Sequence, residues 1–210
     1  MKRTALLVID CQSFFHPMLI SSTHPVIPNI LRLCAHFRFL DLPRIFTQHG
    51  HTTSELKPPY RNQLVAKWGP NGSIHVGSKK WALIDELKEE AEGKSTLDGE
   101  SQDEERHLSG VGTEGDVIMM GKNTYDAFIN TALADVLEQK KVERVVVVGV
   151  MTDCCVDTTA RSAFNRGFET WVVSDACASA DETQHEAGLR GFEFGFGEVL
   201  ETKEVLKRLS

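Results

Sequence analysis

Three residues, Asp10, Lys122 and Cys155, are of types that together can break a carbonyl C–N bond, and each lies at the end of an apolar run. A thiolate attacks carbonyl carbon well, but a free thiol has a pKa of about 8.5 and must be activated. Cys155 follows RVVVVGVMTDC, four valines that read as a strand buried on both faces, then Gly149 and a Thr-Asp pair that prepare a helix. In the first turn of that helix, unpaired N–H groups and an ammonium from Lys122 would lower the thiol pKa. Asp10, desolvated at the end of the first strand, would carry a raised pKa and move protons. Singly, each has an ordinary reading: a helix cap, a solvated lysine, an inert thiol. Jointly, at three strand ends, they make a Cys-Asp-Lys set.

The elements that must position them alternate between strand-like and helix-like segments, which predicts an α/β fold. The expected architecture is one domain in three layers, a doubly wound, mostly parallel sheet of about six strands with helices on both faces. Strands are expected at Thr4–Ile9, Arg44–Thr47, Asp116–Met120, Arg144–Val150, Glu169–Ser174 and Gly197–Leu200. Helices are expected at Val26–Phe39, Thr131–Gln139, after Cys155 up to Gly167, at Asp181–Phe192 and at the C-terminus, with a short one beginning within Lys80–Glu92. Residues 49–80 lack periodicity and hold Pro58, Pro59, Gly69, Pro70, Gly72 and Gly77, so they predict a long loop region shaping a pocket. From Glu89 to Gly115 the chain is acidic and almost free of large apolar residues, a surface excursion. In such a sheet, ligands bind beyond the carboxyl ends of the strands, where the three reactive residues fall.

Composition narrows the class. At 210 residues one domain can bury about 70% of its unfolded surface. A net charge of −7 argues against a nucleic-acid partner. No apolar run approaches the ~18 residues of a membrane span, and Asp10 interrupts the N-terminal run before it could serve as a signal peptide. Five cysteines, an odd number without framework spacing, predict a reducing, cytoplasmic setting.

The motifs resemble those of the isochorismatase-like cysteine hydrolases, a group with nicotinamidases, N-carbamoylsarcosine amidohydrolases and ureidoacrylate or biuret hydrolases. ALLVIDCQSFF is similar to the opening strand with its D-x-Q-x-x-F pattern. GKNTYDAF resembles the K-x-x-x-x-A-F signature, with Ala127 and Phe128 in register. VVVVGVMTDCCVDTTARSAFNRGFETWVVSDACAS resembles the nucleophile segment almost throughout. The resemblance implies a hydrolase that cleaves a small amide, carbamoyl or ureido C–N bond through a cysteine thioester. Its acid would be Asp10, its lysine Lys122, and its nucleophile Cys155, the cysteine directly before valine. It further implies a cis peptide bond between Val150 and Met151, with the backbone N–H groups of Met151 and Cys155 as oxyanion donors. No cofactor is implied, and a homo-oligomer is expected, with dimer or tetramer left open.

The pattern departs in places. Nicotinamidases carry an Asp-x-His metal site after the second strand; here His49 stands at the Asp position and His51 at the first His position, with His75 the nearby downstream candidate. Two histidines at i and i+2 suit Zn²⁺, but the carboxylate is missing, so no metal is expected and both are read as lining the pocket. Gln12, Phe15 and Trp68 are the other candidate pocket residues, Trp68 either walling the pocket or pinning its loop. Cys154 is expected against the sheet, Cys11, Cys34 and Cys177 in the core, and His185 in solvent or at a cap. Two alternatives stay open: an isochorismatase-type vinyl ether hydrolase with an idle cysteine, and a non-catalytic interaction protein on the same fold.

Overall fold

A computed structural model describes residues 2–91 and 116–210. Most of the acidic stretch read at 89–115 lies outside the described residues. Among the described residues, six strands form one sheet: β1 (Thr4–Ile9), β2 (Arg44–His49), β3 (Val117–Lys122), β4 (Arg144–Val150), β5 (Glu169–Ala178) and β6 (Glu198–Leu200). Their order is β3-β2-β1-β4-β5-β6, and all neighbours pair in parallel. The chain winds outward from β1 through β2 to β3, then returns to lay β4 on the other side of β1. That reversal opens a crevice at the carboxyl ends of β1 and β4, where open parallel sheets hold their ligands.

Side-chain alternation along the strands builds two cores. Leu6, Val8, Phe46, Val146, Val148 and Val173 face one side, where they meet the apolar stripe of α2 (Val26–Phe39): Ile27, Ile30, Leu33, Cys34 and Phe37. The short α1 (His16–Ser21), α4 (Asp85–Ala91) and the last helix, α8 (Thr202–Arg208), share this face through Leu19, Leu87 and Val205. Ala5, Leu7, Ile9, Ile45, Val145, Val147 and Val172 face the other side. There they meet α5 (Leu133–Gln139), α6 (Asp157–Asn165) and α7 (Glu182–Gly195). A further helix, α3 (Gln63–Trp68), lies within the 49–80 loop region, started by Asn62, whose side chain accepts from the Leu64 N–H. Six residues are too few for helical periodicity to stand out.

Several strands run further than their sequence suggests. β3 reaches Lys122, so the lysine is the last residue of the strand. β5 continues through Asp175 to Ala178, and after a register shift it pairs Cys177 with Gly149 and Ala178 with Val150. At the opposite end of the sheet, Arg44 is buried and binds both Glu90, at 2.9 Å, and Asp116. These carboxylates flank the stretch 92–115, so one guanidinium ties together the chain entering it and the chain leaving it.

Candidate active site

Asp10 closes β1 in the left-handed backbone region, φ 50°. Its side chain is fully buried and held from two sides. Thr47, near the end of β2, donates its hydroxyl to Asp10 Oδ1 at 2.6 Å and accepts the Asp10 N–H at 3.1 Å. Lys122, also fully buried, reaches past the end of β2 to donate Nζ to Oδ2 at 2.6 Å. Burial by itself would raise the Asp10 pKa; the ammonium above all, with the Thr47 hydroxyl assisting, holds the carboxyl below its usual range. Burial likewise opposes the charge on Lys122, but Asp10 keeps its pKa above the ordinary lysine value. The raised Asp10 pKa read from the sequence is therefore corrected: the lysine expected to serve the thiol is already paired with the acid.

Cys155 is only 4% exposed, and the charges of both Asp10 and Lys122 act on its thiol. Burial pushes its thiol well above the ordinary range; Lys122 pulls the other way, and the Asp10 carboxylate adds to the rise. The depressed thiol pKa read from the sequence is corrected too. A neutralised ammonium activates little, and the residue does not open an α-helix: Thr152–Val156 form a π-helical turn, and α6 begins only at Asp157.

The turn is anchored where β4 ends. Cys154 and Val156 donate their N–H groups to the Met151 carbonyl at 3.0 and 3.1 Å, and the Val150–Met151 peptide bond is cis. Gly149 has φ +115°, and a Cβ there would lie 2.2 Å from the Ile9 carbonyl oxygen. Only glycine lets β4 approach β1 this closely, and that approach brings the Cys155 turn to Asp10.

The pocket candidates divide by task. Gln12 is spent on the scaffold: its amide donates to the carbonyls of His49 and Trp81 at 3.0 and 2.7 Å and accepts the His49 N–H at 2.9 Å. Phe15 packs on the α2 core and, edge-on, against Phe14. Trp68 is 52% exposed and donates its indole N–H to the Tyr125 hydroxyl at 2.9 Å, joining α3 to the turn after β3. Tyr125 in turn lies close enough to Cys154 and Cys155 for both to raise its pKa, after burial. Tyr125, Thr47 and Glu55 are site neighbours that no sequence motif singled out.

His49 is paired in register with Lys122, and burial, aided by the ammonium, pushes its pKa down to about 3. It stands next to Asp10 as a neutral imidazole. His51 crosses it edge to face with centroids 4.9 Å apart, and the Nδ1 atoms of both are buried without a hydrogen-bond partner. His75 Nε2 pairs with the Thr53 hydroxyl at 2.9 Å, and Glu55 is engaged by Thr52, Asn62 and Asn123. Among the described residues no three His, Cys, Asp or Glu side chains converge as metal ligands.

Two further expectations change. His185 is neither solvated nor a cap: it is buried on α7, its Nδ1 2.8 Å from the Thr152 hydroxyl. Cys154 is half-buried and outside both cores, whereas Cys11, Cys34 and Cys177 are buried. Among the described residues no helix is long and apolar enough to cross a membrane.

The isochorismatase domain model matches residues 4–98 and 92–204. The chain belongs to the isochorismatase family. It is a hydrolase of that family, and its similarities run almost end to end. Nicotinamidase 3 of Arabidopsis thaliana is 33% identical over 208 residues, spanning 99% of this chain and 89% of its own. A ureidoacrylate amidohydrolase of Methylobacterium radiotolerans is 30% identical over 227 residues, with 93% and 75% covered. A cysteine hydrolase structure from Pseudomonas syringae pv. phaseolicola 1448A superposes with a TM-score of 0.76 at 23% identity, covering 99% of this chain and 92% of that one, which shows the shared fold.

Proposed function

We propose that this isochorismatase-family protein is a cysteine amidohydrolase that cleaves the C–N bond of a small amide, carbamoyl or ureido compound, with Cys155, Asp10 and Lys122 as its catalytic residues. The observation that carries the reading is the buried Asp10–Lys122 pair, closed at 2.6 Å, with the Cys155 sulfur beside it. Relatives named for nicotinamidase and ureidoacrylate amidohydrolase activity point to the same reaction class.

The chemistry follows from the proton's position. As the Cys155 sulfur bonds to the carbonyl carbon, its proton passes to Asp10, and the oxyanion is held by the N–H groups of Met151 and Cys155. Asp10 returns the proton to the leaving amine as the C–N bond breaks, which leaves a thioester. Asp10 then takes a proton from water, whose oxygen attacks the thioester. Collapse releases the acid, and the thiolate recovers the proton from Asp10. Lys122 stays charged throughout and keeps Asp10 ionised at the start of each cycle. Phe15, His49, His51 and Trp68 are assigned to the pocket. All five cysteines are free, which supports a reducing, cytoplasmic setting.

The test is ammonia release from nicotinamide, ureidoacrylate and N-carbamoyl amino acids. Cys155→Ala is expected to lose about 10⁴-fold or more of the turnover of every accepted compound while keeping its fold. Undiminished hydrolysis by that variant would remove Cys155 from the mechanism.

A further inference from the structure

The turn that carries Cys155 is held from behind by groups the proposed chemistry does not use. α7 is started by Asp181, whose side chain accepts the Gln184 N–H at 2.9 Å, and its next turn places His185 and Gly188 on one face. A Cβ on Gly188 would lie 2.9 Å from Asp153 Cα and 3.1 Å from its backbone nitrogen, so the helix sits directly on the turn. At that seat the Thr152 hydroxyl and His185 Nδ1 pair at 2.8 Å, with His185 5% and Thr152 1% exposed. One residue on, the Asp153 carboxylate takes a hydrogen bond from Ser179, just past the end of β5. Thr152 and Asp153 are thus tied to two different elements, α7 and the segment just after β5.

We propose that His185 is a positioning residue for Cys155: through the Thr152 hydroxyl it fixes the turn that sets where the sulfur, and the N–H groups of Met151 and Cys155, stand relative to Asp10. A buried polar pair is a directional constraint where apolar packing is not, because its hydrogen bond fixes both distance and angle. The proposal rests on the reading of Cys155 as nucleophile, whose own test is the alanine variant above.

The experiment compares His185→Leu, Thr152→Val, their double variant and His185→Asn, whose side-chain amide can donate or accept where Nδ1 stood. Backbone hydrogen exchange is followed by mass spectrometry on the full chain, with no substrate added. Residues 151–156 are expected to exchange up to about tenfold faster in both single variants, with no further gain in the double variant and recovery in His185→Asn. With whichever of the three test amides the wild type hydrolyses, kcat should fall about 10²-fold in His185→Leu while KM holds, and return in His185→Asn. Unchanged exchange at 151–156, equal acceleration across β4, α6 and α7, or no recovery in His185→Asn would each overturn the proposal. Because the exchange measurement needs neither substrate nor Cys155, failure of the nucleophile reading would show separately, in the alanine variant alone.

Discussion

Burial, with the Asp10 carboxylate adding to it, pushes the Cys155 thiol pKa up, against the pull of Lys122. Alkylation by iodoacetamide should report this directly: in free enzyme, Cys155 should react more slowly at pH 7–8 than a free cysteine, with a rate still climbing above about pH 9. Fast labelling at neutral pH, mapped to Cys155 by peptide mass spectrometry, would contradict a resting thiol. The partner of Asp10 gives a second residue-level expectation. Lys122→Met leaves a buried carboxylate without its counter-charge and should destabilise the fold by about 3–5 kcal/mol in urea denaturation. Sequence motifs marked Asp10, Lys122 and Cys155 as candidates, since strand-end placement shows in a line of text. They could not mark Thr47, a threonine like any other until β2 carries its hydroxyl to Asp10. Nor could they give the direction of either pKa, which depends on which charge faces which.

At the level of elements, two contacts decide whether the strand ends meet and whether the sheet's other end stays closed. Gly149 permits the approach of β4 to β1, and Gly149→Ala combines a positive φ with a 2.2 Å encroachment on the Ile9 carbonyl. That variant should lose about 3 kcal/mol or more and most of its activity, measured by denaturation and ammonia release. Arg44, buried between Glu90 and Asp116, should cost about 3–5 kcal/mol when replaced by Met, because two part-buried carboxylates lose their cation. The β-propensity of the valine run and the apolar stripe of α2 were legible because each repeats over enough residues to show a period. The last turn of β5 was not. Asp175 looks like a strand's end, yet its side chain accepts the N–H and hydroxyl of Thr202, which satisfies it and lets the strand continue.

Across the whole molecule, the buried Asp10–Lys122 pair links stability to pH in a defined window. Asp10 has a depressed folded pKa, so its contribution is present above about pH 4 and fades as pH falls through the folded value. Lys122 has a raised folded pKa, so its contribution is complete below about pH 10 and fades only as pH rises through the folded value. Urea denaturation of wild type against an Asp10→Asn, Lys122→Met double variant should therefore give a difference that is constant from about pH 5 to 9 and changes outside it. The amino-acid sequence by itself determined the parallel α/β sheet and the family, and it picked out Asp10, Lys122 and Cys155 as candidates, because periodicity and motif spacing are properties of neighbours along a chain. Tertiary structure alone decided that Lys122 pairs with Asp10, that Gln12 is spent on scaffolding, and that His185 meets Thr152. Those outcomes rest on contacts between residues 33 to 112 positions apart, down to distances of 2.6 to 3.0 Å, which only folding brings about.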